Sequence, residues 1–197
     1  MKRFYALITL LAFCSSCRYY AMKKYHLNIT FNFKTKSEYI EAFNKKNVGN
    51  SQQLLYLDSS SYLSFYNRKV SRDDDVVYLG CFLNDTTSLK KNKSINENSS
   101  CAGRVKDQIR FNLSLQEESI KNQLQKEMMN DFIFREVTTG NKINLNNENN
   151  IKVMMIYSSE FGNYYDELYQ WATELKNQTN STISIYFVSI DPVYLLK

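Results

Sequence analysis

The chain contains very little histidine, proline and glycine. Its 197 residues include one His, one Pro and five Gly. A single imidazole, that of His26, excludes zinc sites built from several histidines and di-iron helix bundles. The scarcity of Pro and Gly excludes collagen-like and low-complexity chains, and an aromatic content of 14% excludes an intrinsically disordered one. The composition therefore predicts a folded protein, long enough for one domain with a sizeable core.

Residues 1–17 have the layout of a secretory signal peptide. Two basic residues precede an apolar stretch at residues 5–13, and two serines come directly before Cys17. The apolar stretch is roughly half of the ~20 residues that a membrane-spanning helix needs, and no later stretch is longer, so we expect no integral membrane protein. Small residues directly before a cysteine resemble the bacterial lipoprotein signal, although Cys14 stands where those signals prefer Leu.

The resemblance to lipoprotein signals implies that Cys17 is acylated and becomes the mature N-terminus. It places the protein in the cell envelope, lipid-anchored in the periplasm or at the outer-membrane surface. The Ser-Ser-Cys ending looks like the signals of AT-rich Bacteroidetes-type bacteria, and the abundance of Asn, Lys, Ile and Tyr agrees with such a genome. Ordinary secretion, with Cys17 left as a plain thiol, is the alternative. Residues 18–26 are interpreted as a tether.

The net charge gives no support to a nucleic-acid partner. It is +5 for the whole chain and +3 once Lys2 and Arg3 are removed with the signal peptide. Such a mildly basic protein lacks the charge that nucleic-acid binding uses. We therefore expect the membrane, reached through the N-terminal lipid, as the first partner, and no nucleic acid.

Two cysteines, Cys81 and Cys101, remain once the first two are assigned to the signal peptide. An even pair in an oxidising compartment predicts a disulfide. It would close a polar loop of about twenty residues and stabilise the fold by on the order of 3 kcal/mol in the chain-entropy model. Two free buried thiols and a redox-active pair are the alternatives.

Strand and helix signals alternate along residues 27–197. Period-two alternation and short apolar runs predict strands, and the capping boxes Thr35–Glu38 and Ser114–Glu117 predict helix starts. We predict strands within residues 27–33, 53–57, 76–82, 105–115, 132–137, 142–145, 151–157 and 183–190, and helices that begin near residues 35, 58, 114 and 162.

The last third of the chain predicts a parallel crossover. Residues 151–157 and 183–190 are nearly continuous apolar runs, and apolar residues between them recur at helical spacing. Strands that are apolar throughout are typical of a sheet covered on both faces, and a strand–helix–strand unit of this kind has parallel strands. We therefore expect an α/β fold with a central, largely parallel sheet.

Three motifs within residues 132–191 match the pattern of one family. Residues 132–145 contain a hairpin signal around Gly140, residues 156–164 read Ile-Tyr-Ser-Ser-Glu-Phe-Gly-Asn-Tyr, and residues 188–191 read Val-Ser-Ile-Asp. This region resembles the thioredoxin-like fold of the TlpA and AhpC group of thiol-disulfide oxidoreductases and peroxiredoxin-like proteins. The resemblance implies a thioredoxin-like or related three-layer sandwich, with residues 27–197 forming a single α/β domain.

The chain departs from this family at the positions that carry its chemistry. Phe161 and Tyr164 occupy the places of the two catalytic cysteines, and without a thiolate there is no nucleophile for disulfide exchange. The family's cis-Pro loop and final hairpin, which follow the crossover, are also missing before Lys197. Either the N-terminal elements complete the sheet, or the fold is a different α/β arrangement.

Two similar turns are candidate contact sites. Residues 57–66 align without gaps on residues 156–165, and each segment joins an apolar strand to a helix through a run of serines. Ligands of open α/β sheets bind at the carboxyl ends of the strands. The candidate binding turn comprises Ser158, Ser159, Phe161 and Tyr164, with Ser59 to Tyr62 in the second turn. Alternatively, the serines cap helices and the aromatic residues pack in the core.

The motifs favour binding over catalysis. The sequence has no Ser/His/Asp order, no paired histidines and no phosphate-cradling glycine loop. We therefore expect no catalytic residues, no metal and no cofactor, and a membrane-anchored lipoprotein with a catalytically degenerate thioredoxin-like fold that acts as a binding or accessory protein. A thiol-disulfide redox protein that uses Cys81 and Cys101 is the alternative.

Overall fold

Seven strands form one mixed sheet in the computed structural model of this protein. The structure describes residues 31–46, 53–70, 77–92, 95, 101–115, 117–126, 129–146, 150–163, 165–178 and 183–197. The strands are β1 (Leu54–Leu57), β2 (Tyr78–Phe82), β3 (Thr87–Leu89), β4 (Leu124–Lys126), β5 (Phe134–Glu136), β6 (Ile151–Tyr157) and β7 (Ile183–Ser189).

The strands lie in the order β4-β3-β2-β6-β7-β1-β5. β7 is parallel to both β6 and β1, so the predicted parallel crossover is confirmed. The other four pairings of the described sheet are antiparallel, and the expectation of a largely parallel sheet is therefore wrong. The reason is that a continuous apolar run reports burial on both faces of a sheet but not the direction of the strand.

Five α-helices accompany the sheet in the described residues. They are α1 (Lys36–Lys45), α2 (Ser59–Phe65), α3 (Cys101–Leu113), α4 (Glu117–Gln123) and α5 (Asp166–Gln178). A π-helical turn, Tyr66–Val70, continues α2, and 3-10 turns occupy Ser159–Phe161 and Val193–Leu195. None of the helices described has the length and apolar character to cross a bilayer.

The helix starts predicted at α1 and α2 are confirmed by their caps. Thr35 Oγ1 accepts a hydrogen bond from Glu38 N at 3.2 Å, and Glu38 Oε2 accepts from Lys34 N at 2.8 Å. Asp58 caps α2 by accepting from Ser61 N at 3.1 Å. Each such cap satisfies backbone donors that the helix cannot pair itself and stabilises it by about 1 kcal/mol.

The strand predicted within residues 105–115 is wrong, because residues 105–113 belong to α3. The side chains that α3 buries are Val105, Gln108, Ile109 and Asn112, which follow helical spacing. Two of the four are polar, so the helical stripe is hidden when only apolar residues are counted. Both amides have hydrogen-bond partners: Gln108 bonds to the backbone of the partly buried Asn92, and Asn112 donates to the hydroxyl of the buried Tyr78.

Three other predicted elements differ from the structure in part. The helix expected from residue 114 is short and gives way to β4 at Leu124. The hairpin around Gly140 has one strand, β5, which pairs with Lys142 through a single antiparallel bridge at Arg135. Of the strand predicted at residues 27–33, residues 27–30 lie outside the described residues and residues 31–33 have no regular structure.

Apolar side chains cover both faces of the sheet, as predicted. Alternate residues of β6 point to opposite faces: Met155 packs with side chains of α1, α3 and α5, whereas Met154 packs with Phe65 of α2 and with residues 129–145. The first face is therefore covered by helices and the second by one short helix and a long connection. The strands themselves are held between these two cores.

Candidate functional site

Two turns meet at one edge of the sheet. Because β1, β6 and β7 are parallel, their carboxyl ends, Leu57, Tyr157 and Ser189, lie at the same edge. β7 is the middle strand of the three, so the residues that follow it lie between the turn after β1 and the turn after β6. This carboxyl edge is where open α/β sheets bind ligands.

Asp191 is the centre of a buried polar network at this edge, which we call the Asp191 cluster. Its Oδ1 accepts from Ser158 Oγ at 2.6 Å, and its Oδ2 accepts from Ser159 N and from the Tyr39 hydroxyl, both at 2.7 Å. Asp191 N donates to Ser189 Oγ at 3.1 Å. All five residues are buried. A carboxylate removed from water in this way needs such donors, because an unpaired buried charge is costly.

Tyr39 links α1 to the Asp191 cluster through its hydroxyl group. Its hydroxyl donates to Asp191, so the 2.7 Å contact with Ser189 Oγ is a bond that the serine donates. Burial, followed by the field of Asp191, raises the pKa of Tyr39 well above its ordinary value of 10.0. The hydroxyl therefore keeps its proton and remains a donor to Asp191 at all physiological pH values.

Two buried hydroxyls, one within the cluster and one near it, have no hydrogen-bond partner in the described part of the chain. They are the Tyr157 hydroxyl and Ser159 Oγ. Burial, then the fields of Asp191 and Asp166, raise the pKa of Tyr157.

An ion pair joins α5 to the residue that follows α1. Lys46 Nζ lies 3.8 Å from Asp166 Oδ1, which is too long for a hydrogen bond. Burial lowers the pKa of Lys46 and raises that of Asp166, although each opposes this effect on the other.

The turn after β1 is held by backbone groups of other segments and is more exposed than the turn after β6. Ser61 Oγ accepts from Ile133 N at 2.9 Å, and the Tyr62 hydroxyl donates to the Ile190 carbonyl. Ser59 and Ser60 are exposed, and Ser60 Oγ donates to Asp58 Oδ1 at 2.7 Å. Burial, then the field of Asp191, raises the pKa of Tyr62 to about 12.

The structure brings only part of the predicted binding turn together as a site. Ser158 and Ser159 are buried against Asp191, and Ser158 also accepts from Glu160 N, so the capping alternative holds for this serine. Phe161 is partly buried, and its ring centroid lies 5.3 Å from that of Tyr165. Tyr164 and the predicted lipidation site Cys17 lie outside the described residues.

Cys81 is a free, buried thiol in the structure. The disulfide with Cys101 stays a prediction, which thiol alkylation tests. The Cys81 side chain points into the core of the sheet, where the Tyr78 hydroxyl lies 3.1 Å from the sulfur. Burial raises the pKa of Cys81 to about 11, against the opposing hydrogen bonds of Tyr78 and Asn112. Cys101 begins α3, and its side chain lies outside the described residues.

Sequence reasoning did not assign Asp191 and Tyr39 to the site. A signal for Asp191 exists, since Ser158 and Asp191 each follow the end of one of the two strands in the predicted crossover. Parallel strands end at one edge, which would place the carboxylate near the serines. No comparable signal exists for Tyr39, which has helical spacing and lies more than a hundred residues away in sequence.

The hydrogen bonds of the Asp191 cluster form a structural network and do not have the arrangement of a catalytic triad. Ser158 Oγ bonds directly to a carboxylate, with no imidazole between them to take its proton as a general base does in a triad. The carboxylate already accepts three hydrogen bonds. Within the described residues, no three His, Cys, Asp or Glu side chains are grouped closely enough to hold a metal ion.

A separate cavity of about 330 Å³ lies on the second face of the sheet. Its floor is apolar and includes Met129, Phe132, Phe134 and Leu145, whereas amides and Lys142 border it. The floor residues are almost completely buried, so they offer a ligand little surface.

Comparison of the chain with models of protein families, with curated proteins and with solved structures found no match.

Proposed function

We propose that this protein is a lipid-anchored protein of the cell envelope that acts by binding and not by thiol chemistry. The observation that carries the proposal is the Asp191 cluster. In the family that the sequence resembles, the turn after this strand presents reactive cysteines. Here the same turn has Ser158 and Ser159 bonded to a buried carboxylate, so its polar groups hold the fold together.

The state of Cys81 favours this proposal over the redox alternative. The thiolate is the reactive form of cysteine, and a pKa of about 11 leaves about one molecule in ten thousand ionised at pH 7. The side chain is 0% exposed, so an attacking disulfide has no access to it. Both factors lower the reactivity of the thiol that the alternative requires.

The fold supports a rearranged thioredoxin-like sheet as the finer proposal. In the family that the sequence resembles, an antiparallel hairpin pairs beside the first strand of the crossover. In the structure β2 and β3 form an antiparallel pair beside β6, although they precede the crossover in sequence. This arrangement supports the proposal that N-terminal elements take the place of the family's hairpin and complete the sheet.

The contact surface belongs to the turn after β1. The hydroxyls of Ser158 and Ser159 face inwards, so they cannot meet a partner at the surface. Ser59 and Ser60 are exposed at the same edge, next to the exposed side chains of Leu63 and Tyr66. We propose that this part of the edge makes the contacts of the anchored protein.

Intact mass and thiol alkylation of protein extracted from membranes test the proposal together. We expect a mass that begins at Cys17 and carries acyl chains. We expect iodoacetamide to leave Cys81 unmodified in the native protein and to modify it in denaturant without reductant. The Cys81→Ala variant identifies the modified site.

Two results would contradict the proposal. An unlipidated mature chain would remove the membrane anchor. Rapid alkylation of native Cys81, lost in Cys81→Ala, would favour the thiol-disulfide alternative and make redox activity the first assay. Modification that needs both denaturant and reductant would instead show the predicted disulfide with Cys101 and leave the binding proposal standing.

A further inference from the structure

The large hydrophobic side chains that are exposed in the described part of the chain belong to two neighbouring segments, residues 62–66 and the turn Val193–Leu195. Leu63 is 68% exposed, Tyr66 41% and Leu195 68%. Two tyrosines connect them: the ring centroid of Tyr62 lies 5.1 Å from that of Tyr194 and 6.5 Å from that of Tyr66. We call these five residues the exposed patch. A cluster of this kind at a protein surface is typical of an interaction site.

The exposed patch lies at the carboxyl edge, where the chain also enters the fold. Leu195 belongs to the 3-10 turn that follows β7. Lys36 N, at the start of α1, donates to the carbonyl of Lys197 at 3.1 Å. The rings of Phe31 and Phe33 pack against Tyr39 just before this point. The N-terminal segment therefore joins the fold beside the segment that carries Leu195.

The length of that N-terminal segment limits how far the patch can lie from the proposed anchor. Thirteen residues, 18–30, separate Cys17 from the first described residue. Fully extended, they span at most about 45 Å. They include Arg18, Lys23 and Lys24 and several tyrosines, which suit the headgroup region of a membrane.

We propose that the exposed patch docks on the surface of the lipid bilayer to which the chain is anchored. This inference rests on the proposed function, because it requires the anchor at Cys17. Leu63 and Leu195 enter the boundary of headgroups and acyl chains, and the exposed ring of Tyr66 lies at headgroup level. Lys197 is exposed two residues after Leu195 and adds a basic group to this segment, whereas Arg68, two residues after Tyr66, is ion-paired with Asp131 at 2.9 Å. The patch is thus a second attachment that orients the anchored domain.

A tryptophan placed in the patch reports on its contact with lipid. Trp171 is the one tryptophan of the chain, so the Trp171→Phe background leaves a single probe. Leu195→Trp and, as a matched control, Gln170→Trp on the exposed side of α5 are purified from membranes in their acylated form. Each is reconstituted in phosphatidylcholine vesicles that contain about one fifth phosphatidylglycerol, with and without brominated acyl chains. We expect quenching by bromine to be at least about threefold greater at position 195 than at position 170.

Removal of the two leucines tests the patch itself. In a Tyr66→Trp reporter, Leu63→Gln with Leu195→Gln is expected to lower the quenching to the level found at position 170. Both leucines are largely exposed, so the fold should tolerate the change, which circular dichroism checks. The paired control Glu174→Gln with Asn177→Gln, at exposed positions of α5, should leave the quenching unchanged.

The failures of the two proposals are distinguishable. Intact mass without acyl chains contradicts the anchor, and with it the proposed function. Acylated protein in which positions 195 and 170 are quenched equally overturns the docking and leaves the anchor in place. A dimer in detergent that Leu63→Gln with Leu195→Gln converts to a monomer would show that a second copy covers the patch, which also overturns it.

Discussion

The turns after β1 and β6 are built from similar residues, yet their surroundings differ. Each joins a buried parallel strand to a helical turn through a run of serines, and each begins with a side-chain cap. Ser59 and Ser60 are exposed after β1, whereas the aligned Ser158 and Ser159 are buried after β6. The same local motif therefore lies at the surface in one place and inside the protein in the other.

The difference comes from the segment that follows β7 and lies between the turns. It offers the Ile190 carbonyl to Tyr62 of one turn and the Asp191 carboxylate to Ser158 and Ser159 of the other. A buried carboxylate needs several hydrogen-bond donors around it, whereas a backbone carbonyl needs only one hydrogen bond. The turn after β6, which contacts the carboxylate, is therefore buried, and the turn after β1 stays exposed.

Asp191→Asn is expected to have the largest effect. The substitution replaces one carboxylate oxygen, which accepts hydrogen bonds, by an NH₂ group, which donates them. At least one of the buried donors that bond to Asp191 therefore loses its acceptor. We expect the free energy of unfolding to fall by about 2–4 kcal/mol, measured by urea denaturation.

Asp58→Asn is the matched control in the other turn. Asn caps a helix as well as Asp does, and Asp58 is partly exposed, so we expect a loss of a few tenths of a kcal/mol. Equal losses in the two variants would show that the Asp191 cluster does not hold the turn after β6.

Tyr39→Phe and Tyr62→Phe compare the hydroxyls that reach the two turns. Tyr39 is 0% exposed and loses a bond to the carboxylate as well as one from Ser189, so we expect a cost of about 1–2 kcal/mol. Tyr62 is partly buried and loses one bond to a carbonyl, for which we expect about 0.5–1 kcal/mol. Thermal or urea unfolding measures both, and the opposite ranking would contradict the comparison.

The pH dependence of stability should have opposite signs for the acidic residues of the two turns. Burial acts to raise the pKa of Asp58, but hydrogen bonds from Ser60 and Ser61 outweigh it and the pKa falls below 3.8. Its ionised form stabilises the fold above that ordinary value, and the contribution is lost as the pH falls through the lowered pKa. Burial, then the field of Asp191, raises the pKa of Glu160 above 4.5, so its ionised form opposes folding at neutral pH.

Glu160→Gln should therefore stabilise the protein slightly at pH 7. The gain should disappear as the pH falls below about 4.5, where Glu160 is protonated in both states. Asp58→Asn should instead cost stability at pH 7, and its cost should shrink in acid. Solvent screens both groups, so we expect a few tenths of a kcal/mol in each case. Urea unfolding across this pH range measures the two slopes, and slopes of the same sign would contradict the assignment.

Local signals predicted the elements that depend on local chemistry. The cap at Thr35, the cap at Asp58 and the apolar runs of β1, β6 and β7 each involve residues close in sequence, and each was found where it was predicted. α3 was missed because Gln108 and Asn112 face inwards, and their burial depends on Asn92, in the loop after β3, and on Tyr78 of β2. No neighbour in sequence reveals that a polar side chain will find a buried partner.

The candidate site likewise has one part that local sequence patterns predict and one part that depends on distant contacts. The sequence placed the serine turns at the ends of buried strands, because a strand followed by a cap is a local pattern. It could not decide which turn is buried, since Tyr39 and Asp191 are 152 residues apart and meet only when α1 packs beside the end of β7.

The amino-acid sequence alone determined that the chain folds, that it contains a parallel crossover, and that both faces of its sheet are covered, because apolar periodicity is enough to specify burial. Tertiary structure decided the direction of the flanking strands, the burial of Cys81 and the contact through Tyr62 between the two segments that expose Leu63, Tyr66 and Leu195. These depend on which segments become neighbours, and contacts between distant residues leave no periodic signal in a single chain.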